Sequence, residues 1–126
     1  MMRVHEKSVY EVKIMRDNFA RTLESLGYNV KFDVSLQGES GVKHKFDIVA
    51  SDDNRRVAID FVRSSKDVNL VALATCAKAL DIKGFVTILV APSDAKSKLV
   101  FSPRQVVPLF YEDMSDALHK LEELVV

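Results

Sequence analysis

Hydrophobic residues recur along this chain with two periods, and each change of period marks an element. Over residues 5–26, Val12, Met15, Phe19, Leu23 and Leu26 fall at helical spacing and predict a helix with one apolar stripe. Gly27 follows as its C-cap. The period then drops to two. Val30, Phe32, Val34 and Leu36 predict a half-buried strand, closed by the turn Gln37-Gly38-Glu39-Ser40-Gly41. In residues 45–50, Phe46, Ile48 and Ala50 share one face; in residues 57–62, Val57, Ile59 and Phe61 do. Asp and Asn between them tolerate the left-handed backbone of a tight turn, which predicts a β-hairpin with its tip at Asp53-Asn54.

Residues 67–83 are apolar almost all round, from Val68 and Leu70 to Leu80 and Ile82, which predicts a helix buried on more than one side and ended by Gly84. The continuous apolar run 85–90 reads as a central parallel strand. Strand 57–62, helix 67–83 and strand 85–90 then make a right-handed βαβ crossover. Residues 106–110 are a further strand, and Pro108, which cannot donate a ladder hydrogen bond, puts it at an edge. A last helix runs from Ser115 to Val125 with Asp113 as its N-cap. The order α-β-β-β-α-β-β-α predicts one α/β domain over 1–126, a central mixed β-sheet flanked by helices.

Composition narrows the function. The 126 residues are 48% hydrophobic and 29% charged, ordinary globular usage. Eighteen basic residues balance 18 acidic ones, which excludes a simple electrostatic nucleic-acid glue. The single Cys76 excludes an intramolecular disulfide and a Cys-only zinc site, and its apolar helix predicts an inert thiol. No apolar run is long enough to span a bilayer, so the expectation is a cytoplasmic protein with no membrane partner. Helix 67–83 is too apolar to leave one side in water, which predicts an isologous homodimer.

Hairpin geometry supplies the sharpest chemical argument. A tip centred between Asp53 and Asn54 sets Asp47 opposite Asp60, and directly opposed Cβ atoms in an antiparallel pair lie about 4.5–5.5 Å apart. Both aspartates fall on the face not occupied by Phe46, Ile48, Ile59 and Phe61. Two carboxylates that close repel, unless one is protonated or a cation bridges them. A hard divalent cation, Mg²⁺ or Mn²⁺, would relieve the repulsion. Water or Arg55, Arg56 or Arg63 would also serve the pair, and spacing alone favours these over a metal.

The stretch Gly38-Glu39-Ser40-Gly41-Val42-Lys43-His44-Lys45-Phe46-Asp47-Ile48, followed by Val57-Ala58-Ile59-Asp60-Phe61, resembles the restriction-endonuclease-like PD-(D/E)xK superfamily, and within it the Mrr-like branch of small archaeal-type proteins. The resemblance implies that fold and a metal-dependent nuclease, with nucleic acid, DNA first, as partner. It implies Asp47 and Asp60 as acidic ligands of Mg²⁺ or Mn²⁺. Glu11 of the first helix is the candidate for the additional glutamate many members use; a solvated helix charge is the plainer reading.

The pattern departs from the family at one place. Acid, any residue, lysine reads here Asp60-Phe61-Val62, and an isopropyl group cannot supply a point charge. Lys45 stands opposite Val62 in the hairpin register and is the first candidate to replace it catalytically, ahead of Lys66 and Lys78. If none does, the chain is a catalytically degenerate module for nucleic-acid binding or protein assembly. Ser40 in its glycine turn, His44, Arg55, Arg56 and Arg63 are the candidate contacts to a nucleic-acid backbone.

Overall fold

The computed structural model describes the chain from Val4 to Val126, with side chains from Glu11 onward. Helix α1 spans Val4–Ser25 and is followed by three antiparallel strands, β1 (Asn29–Gln37), β2 (Lys43–Ser51) and β3 (Arg56–Phe61). Helix α2 (Val68–Asp81) crosses over to β4 (Val86–Pro92), which lies parallel to β3. β5 (Val107–Tyr111) adds parallel to β4, and α3 (Met114–Val125) completes the chain. The five strands form one mixed sheet in the order β1-β2-β3-β4-β5. This is the expected α/β class and order of elements.

Helices α1 and α3 cover one face. Met15, Phe19 and Leu23 from α1 and Ala117, Leu121 and Val125 from α3 bury against Ile48, Ile59, Phe61, Ile88 and Leu109. Asp113 caps α3, its carboxylate accepting from Asp116 N at 2.8 Å. Tyr28 joins this core and donates its hydroxyl to the Val125 carbonyl at 2.7 Å. Leu26, expected in the apolar stripe, is 38% exposed: α1 ends at Ser25, and Gly27 in the left-handed region (φ 94°) turns the chain so that Tyr28 takes the core position.

Helix α2 covers the other face with smaller contacts, Val68, Ala72 and Ala79 packing on Leu89 and Ala91. The helix is not buried on more than one side within this chain: Leu70, Leu73 and Leu80 face outward at 71%, 62% and 63% exposure. Pro108 lies in β5, an edge strand, as its missing donor requires.

The hairpin turn closes around Asp52, whose carboxylate accepts from Asn54 N and Arg55 N while its own N–H donates to the Arg55 carbonyl. Ile48 pairs with Ile59 and Ala50 with Val57, the register expected from the tip at Asp53-Asn54. Phe46 departs from expectation. It packs with Val34, Leu36 and Ile82 under α2 instead of sharing the α1 side with Ile48. The change of side coincides with a break in regular pairing: Phe32 pairs with Ile48 and Val34 with Phe46, but Asp33, at φ 52°, and Asp47 between them do not pair. A residue in the left-handed region interrupts the strict alternation of side chains. Before that break Val30 packs on the α1 side; after it Val34 and Leu36 pack on the α2 side.

Candidate functional site at the β2–β3 break

The main-chain ladder between β2 and β3 stops at Ile48 and Ile59, and the two aspartates continue it with their carboxylates. Asp47 N donates to Asp60 Oδ1 at 3.3 Å, and Phe61 N donates to Asp47 Oδ2 at 2.8 Å. Each carboxylate therefore satisfies a backbone donor that would otherwise lack a partner. Each aspartate thus reaches the other's strand through a backbone N–H, beyond the last regular pair of the hairpin.

Asp60 is 6% exposed. Its Oδ2 accepts from Thr75 Oγ1 at 2.8 Å and is 2.6 Å from Lys78 Nζ, both on α2. A charge this deep needs paired donors to persist. The Lys78 ammonium also donates to the Lys45 carbonyl at 2.6 Å and sits 4.3 Å from the centre of the Phe46 ring. Asp47 is more open, and Arg63, half exposed, approaches its Oδ1 at 3.5 Å. These groups line a cleft of about 350 Å³, with Lys45, Asp33 and the apolar Leu70, Val71 and Ala74 completing its walls.

The ammonium beside the acidic pair thus belongs to Lys78. Lys45 lines the same cleft, but the group it brings to Lys78 is its carbonyl. Val62, in the place of the motif lysine, is buried in the α2-side core. Among residues 70–80, Thr75 and Lys78 alone are polar, and they stand three apart, on one face of a helix. That pattern in an otherwise apolar helix is the available sign of a polar contact with the sheet, which the sequence reading does not draw for Thr75; of the candidate lysines it is Lys78 whose ammonium lies beside Asp60.

The other candidates lie elsewhere. Glu11 does not line the cleft; its charge acts on Tyr111, whose pKa is raised by burial first and then by Glu11 and Asp94. Ser40 and His44 belong to a separate cluster on Asp81 at the end of α2. Ser40 Oγ and His44 Nε2 each lie 2.6 Å from Asp81 Oδ2, and Ser40 N donates to Oδ1 at 2.9 Å. A Cβ on Gly38 would collide with the same carboxylate, so glycine lets the turn close against α2. Arg55 and Arg56 sit at the hairpin, a full strand length from Arg63, and Arg56 stacks on Phe85 at 5.1 Å. The three arginines do not form one group.

Among the described residues no group of three His, Cys, Asp or Glu side chains converges, and no helix is long and apolar enough to cross a membrane. No family model and no curated protein matches the chain. The fold is similar to the crystal structure of a protein of unknown function, AF1548, with a TM-score of 0.52 at 22% identity over 87% of this chain. This chain spans 65% of that protein's length, and at such identity the likeness concerns fold alone.

Proposed function

We propose that the protein is a restriction-endonuclease-like phosphodiester hydrolase acting on nucleic acid, with Asp47 and Asp60 as its acidic pair and Lys78 in place of the lysine its second motif lacks. The observation that supports this reading is that two carboxylates and one ammonium line one open cleft, with Lys78 Nζ 2.6 Å from Asp60. The donor set suits Mg²⁺ or Mn²⁺. Among the described residues Asp47 Oδ1 and Asp60 Oδ1 carry only long contacts, at 3.5 and 3.3 Å, and Mg²⁺ is commonly held by one or two carboxylates with water filling the remaining positions. Such an ion, when bound, supplies an activated water and offsets charge on the phosphate.

The chain's own groups have distinct tasks. Thr75 and the Asp47 N–H orient Asp60. Lys78, fixed by Asp60 and the Lys45 carbonyl, holds a positive charge where phosphate charge develops. Arg63 and the Lys45 ammonium, on the cleft wall, contact the nucleic-acid backbone. Mn²⁺-dependent cleavage of duplex and single-stranded DNA and RNA tests this. Asp47→Asn and Lys78→Met are each expected to lose about 100-fold or more in rate while the circular dichroism spectrum is kept. Wild-type rates in either folded variant would refute the assignment.

A second reading rests on charge. Asp33, Asp47 and Asp60 are matched in the cleft by Lys45, Arg63 and Lys78, leaving no surplus of negative charge for a cation. On this reading the acidic pair is a structural cluster in a degenerate module that binds nucleic acid without cutting it. A Mn²⁺-induced rise in Tm that disappears in Asp47→Ala supports the hydrolase. Indifference to Mn²⁺ together with salt-sensitive nucleic-acid binding supports the module.

A further inference from the structure

Helix α2 presents two unlike faces. Val68, Ala72, Thr75 and Ala79 are buried toward the sheet. On the outer side Leu70, Leu73 and Leu80 are 71%, 62% and 63% exposed, with exposed Ala74 and Ala77 between them. Leu70, Leu73, Ala77 and Leu80 follow the alternating three- and four-residue spacing of a coiled-coil seam. No charged side chain falls within the stripe. Val100, 82% exposed, extends the apolar surface near the start of the helix, where its N–H donates to Asn69 Oδ1 at 2.9 Å. A contiguous apolar surface of this kind on a chain of 14.2 kDa marks an interaction site.

We propose that this face is the interface of an isologous homodimer in which α2 packs antiparallel against α2 of a second copy. The stripe is self-complementary about Thr75. In the antiparallel register Leu70 meets the partner's Leu80, and Leu73 meets the partner's Ala77, so a large side chain sits over a small one near the dyad. The charges at the two ends also match: Asp67, exposed before the helix, falls opposite the partner's Lys83, which is 75% exposed beyond the other end and only loosely held, 3.8 Å from the exposed Glu39 of its own chain. Two-fold symmetry repeats that pair. A parallel arrangement would set Asp67 against Asp67 and Lys83 against Lys83, and Ala77 against Ala77 with a void between. The charge pattern therefore selects both the occupant, a second copy of this chain, and its direction. Leu70 and Ala74 also line the Asp47–Asp60 cleft, so the partner helix would stand at the edge of each cleft.

Sedimentation equilibrium of the full chain at micromolar concentration is expected to give twice the 14.2 kDa chain mass. Leu73→Glu, and independently Leu80→Glu, should raise the dissociation constant by about 100-fold or more, a hot-spot effect doubled by symmetry. Both sites are exposed, so the monomer's circular dichroism and thermal transition should persist. Asp67→Lys alone and Lys83→Asp alone should each weaken the dimer, and the double variant Asp67→Lys/Lys83→Asp should restore it. A monomer across the micromolar range, or a dimer untouched by both leucine variants, overturns the interface. Failure of the double charge exchange to restore association overturns the antiparallel register.

Discussion

On the face of the sheet covered by α1 and α3, Phe19, Leu23, Ile48, Ile59, Ile88 and Leu121 are fully buried, and large side chains interlock. On the face covered by α2, the small Ala58, Ala72, Ala79 and Ala91 are interspersed with the larger Phe46, Val62, Val68 and Leu89, and Asp60, Thr75 and Thr87 are the three buried polar side chains among the described residues. Large aliphatic and aromatic contacts supply most of the burial energy, so stability is concentrated on the first face. Small residues on the second let α2 approach closely enough for Lys78 and Thr75 to reach a strand carboxylate. Its outer leucines remain uncovered within one chain. The first side buries more of the large side chains, and the second adds the polar groups and the uncovered leucines.

This contrast fails unless a cut in the first face costs more than a cut in the second. Phe19 is fully buried and meets Phe61 edge to face at 5.2 Å between ring centres. Phe19→Ala is expected to cost about 3–5 kcal/mol, the transfer loss plus the cavity left behind, read as a fall in the urea midpoint. On the second face Asp60→Asn keeps the volume but loses the charge that Lys78 and Thr75 hold. Its cost is expected at about 2–3 kcal/mol, the range for hydrogen bonds to a charged group. Lys78→Met should cost at least as much, because it leaves the buried Asp60 carboxylate without its ammonium, whereas Asp60→Asn leaves a lysine that is one-fifth exposed and can turn to water. Adding Lys78→Met to Asp60→Asn should add little, since the two share one interaction. Equal costs for Phe19→Ala and Asp60→Asn, or additive costs for Asp60→Asn and Lys78→Met, would break the distinction.

The features that could be read from the chain are those set locally. The turn at Asp52–Arg55 sets the hairpin register as far as Ile48 and Ile59, and Asp47 and Asp60 are the next residues beyond that pair. The Asp113 cap and the β3–α2–β4 crossover likewise follow from residues near each other in sequence. What escaped depends on how distant elements settle. Which ammonium faces Asp60 is decided by the rotation of α2 over the sheet, so Lys45, near in the hairpin, was preferred to Lys78, which lies 18 residues further along the chain from Asp60. The side on which Phe46 packs changes across a break in regular pairing at Asp33, with φ 52°, and Asp47, and the alternation of apolar residues in β2 does not announce it. The nearly all-round hydrophobicity of α2 correctly indicates an unusual helix, but it does not say whether this chain or another covers the outer leucines.

The weakest expected effect concerns the rim of the second face. Asp81, at the end of α2, receives Ser40 Oγ, His44 Nε2 and Ser40 N, and the Ser40 hydroxyl, followed by His44, lowers its pKa from 3.8 to about 2. Because the folded value is depressed, the unfolded chain binds the proton first as pH falls. The cluster's contribution is therefore complete above pH 3.8 and is lost as the pH drops from there toward 2. Asp81→Asn removes that linkage. The variant should be less stable than wild type at neutral pH, and the gap should close between those two pH values. Asp81 is more open to water than Asp60, so the gap should be smaller than that produced by Asp60→Asn. Chemical denaturation repeated down the acid range measures it. Parallel acid limbs in the two proteins would show that the β1–β2 turn is held to α2 by its backbone alone, through the Glu39 N–H to the Asp81 carbonyl at 2.8 Å and the close fit at Gly38, with the carboxylate contributing nothing.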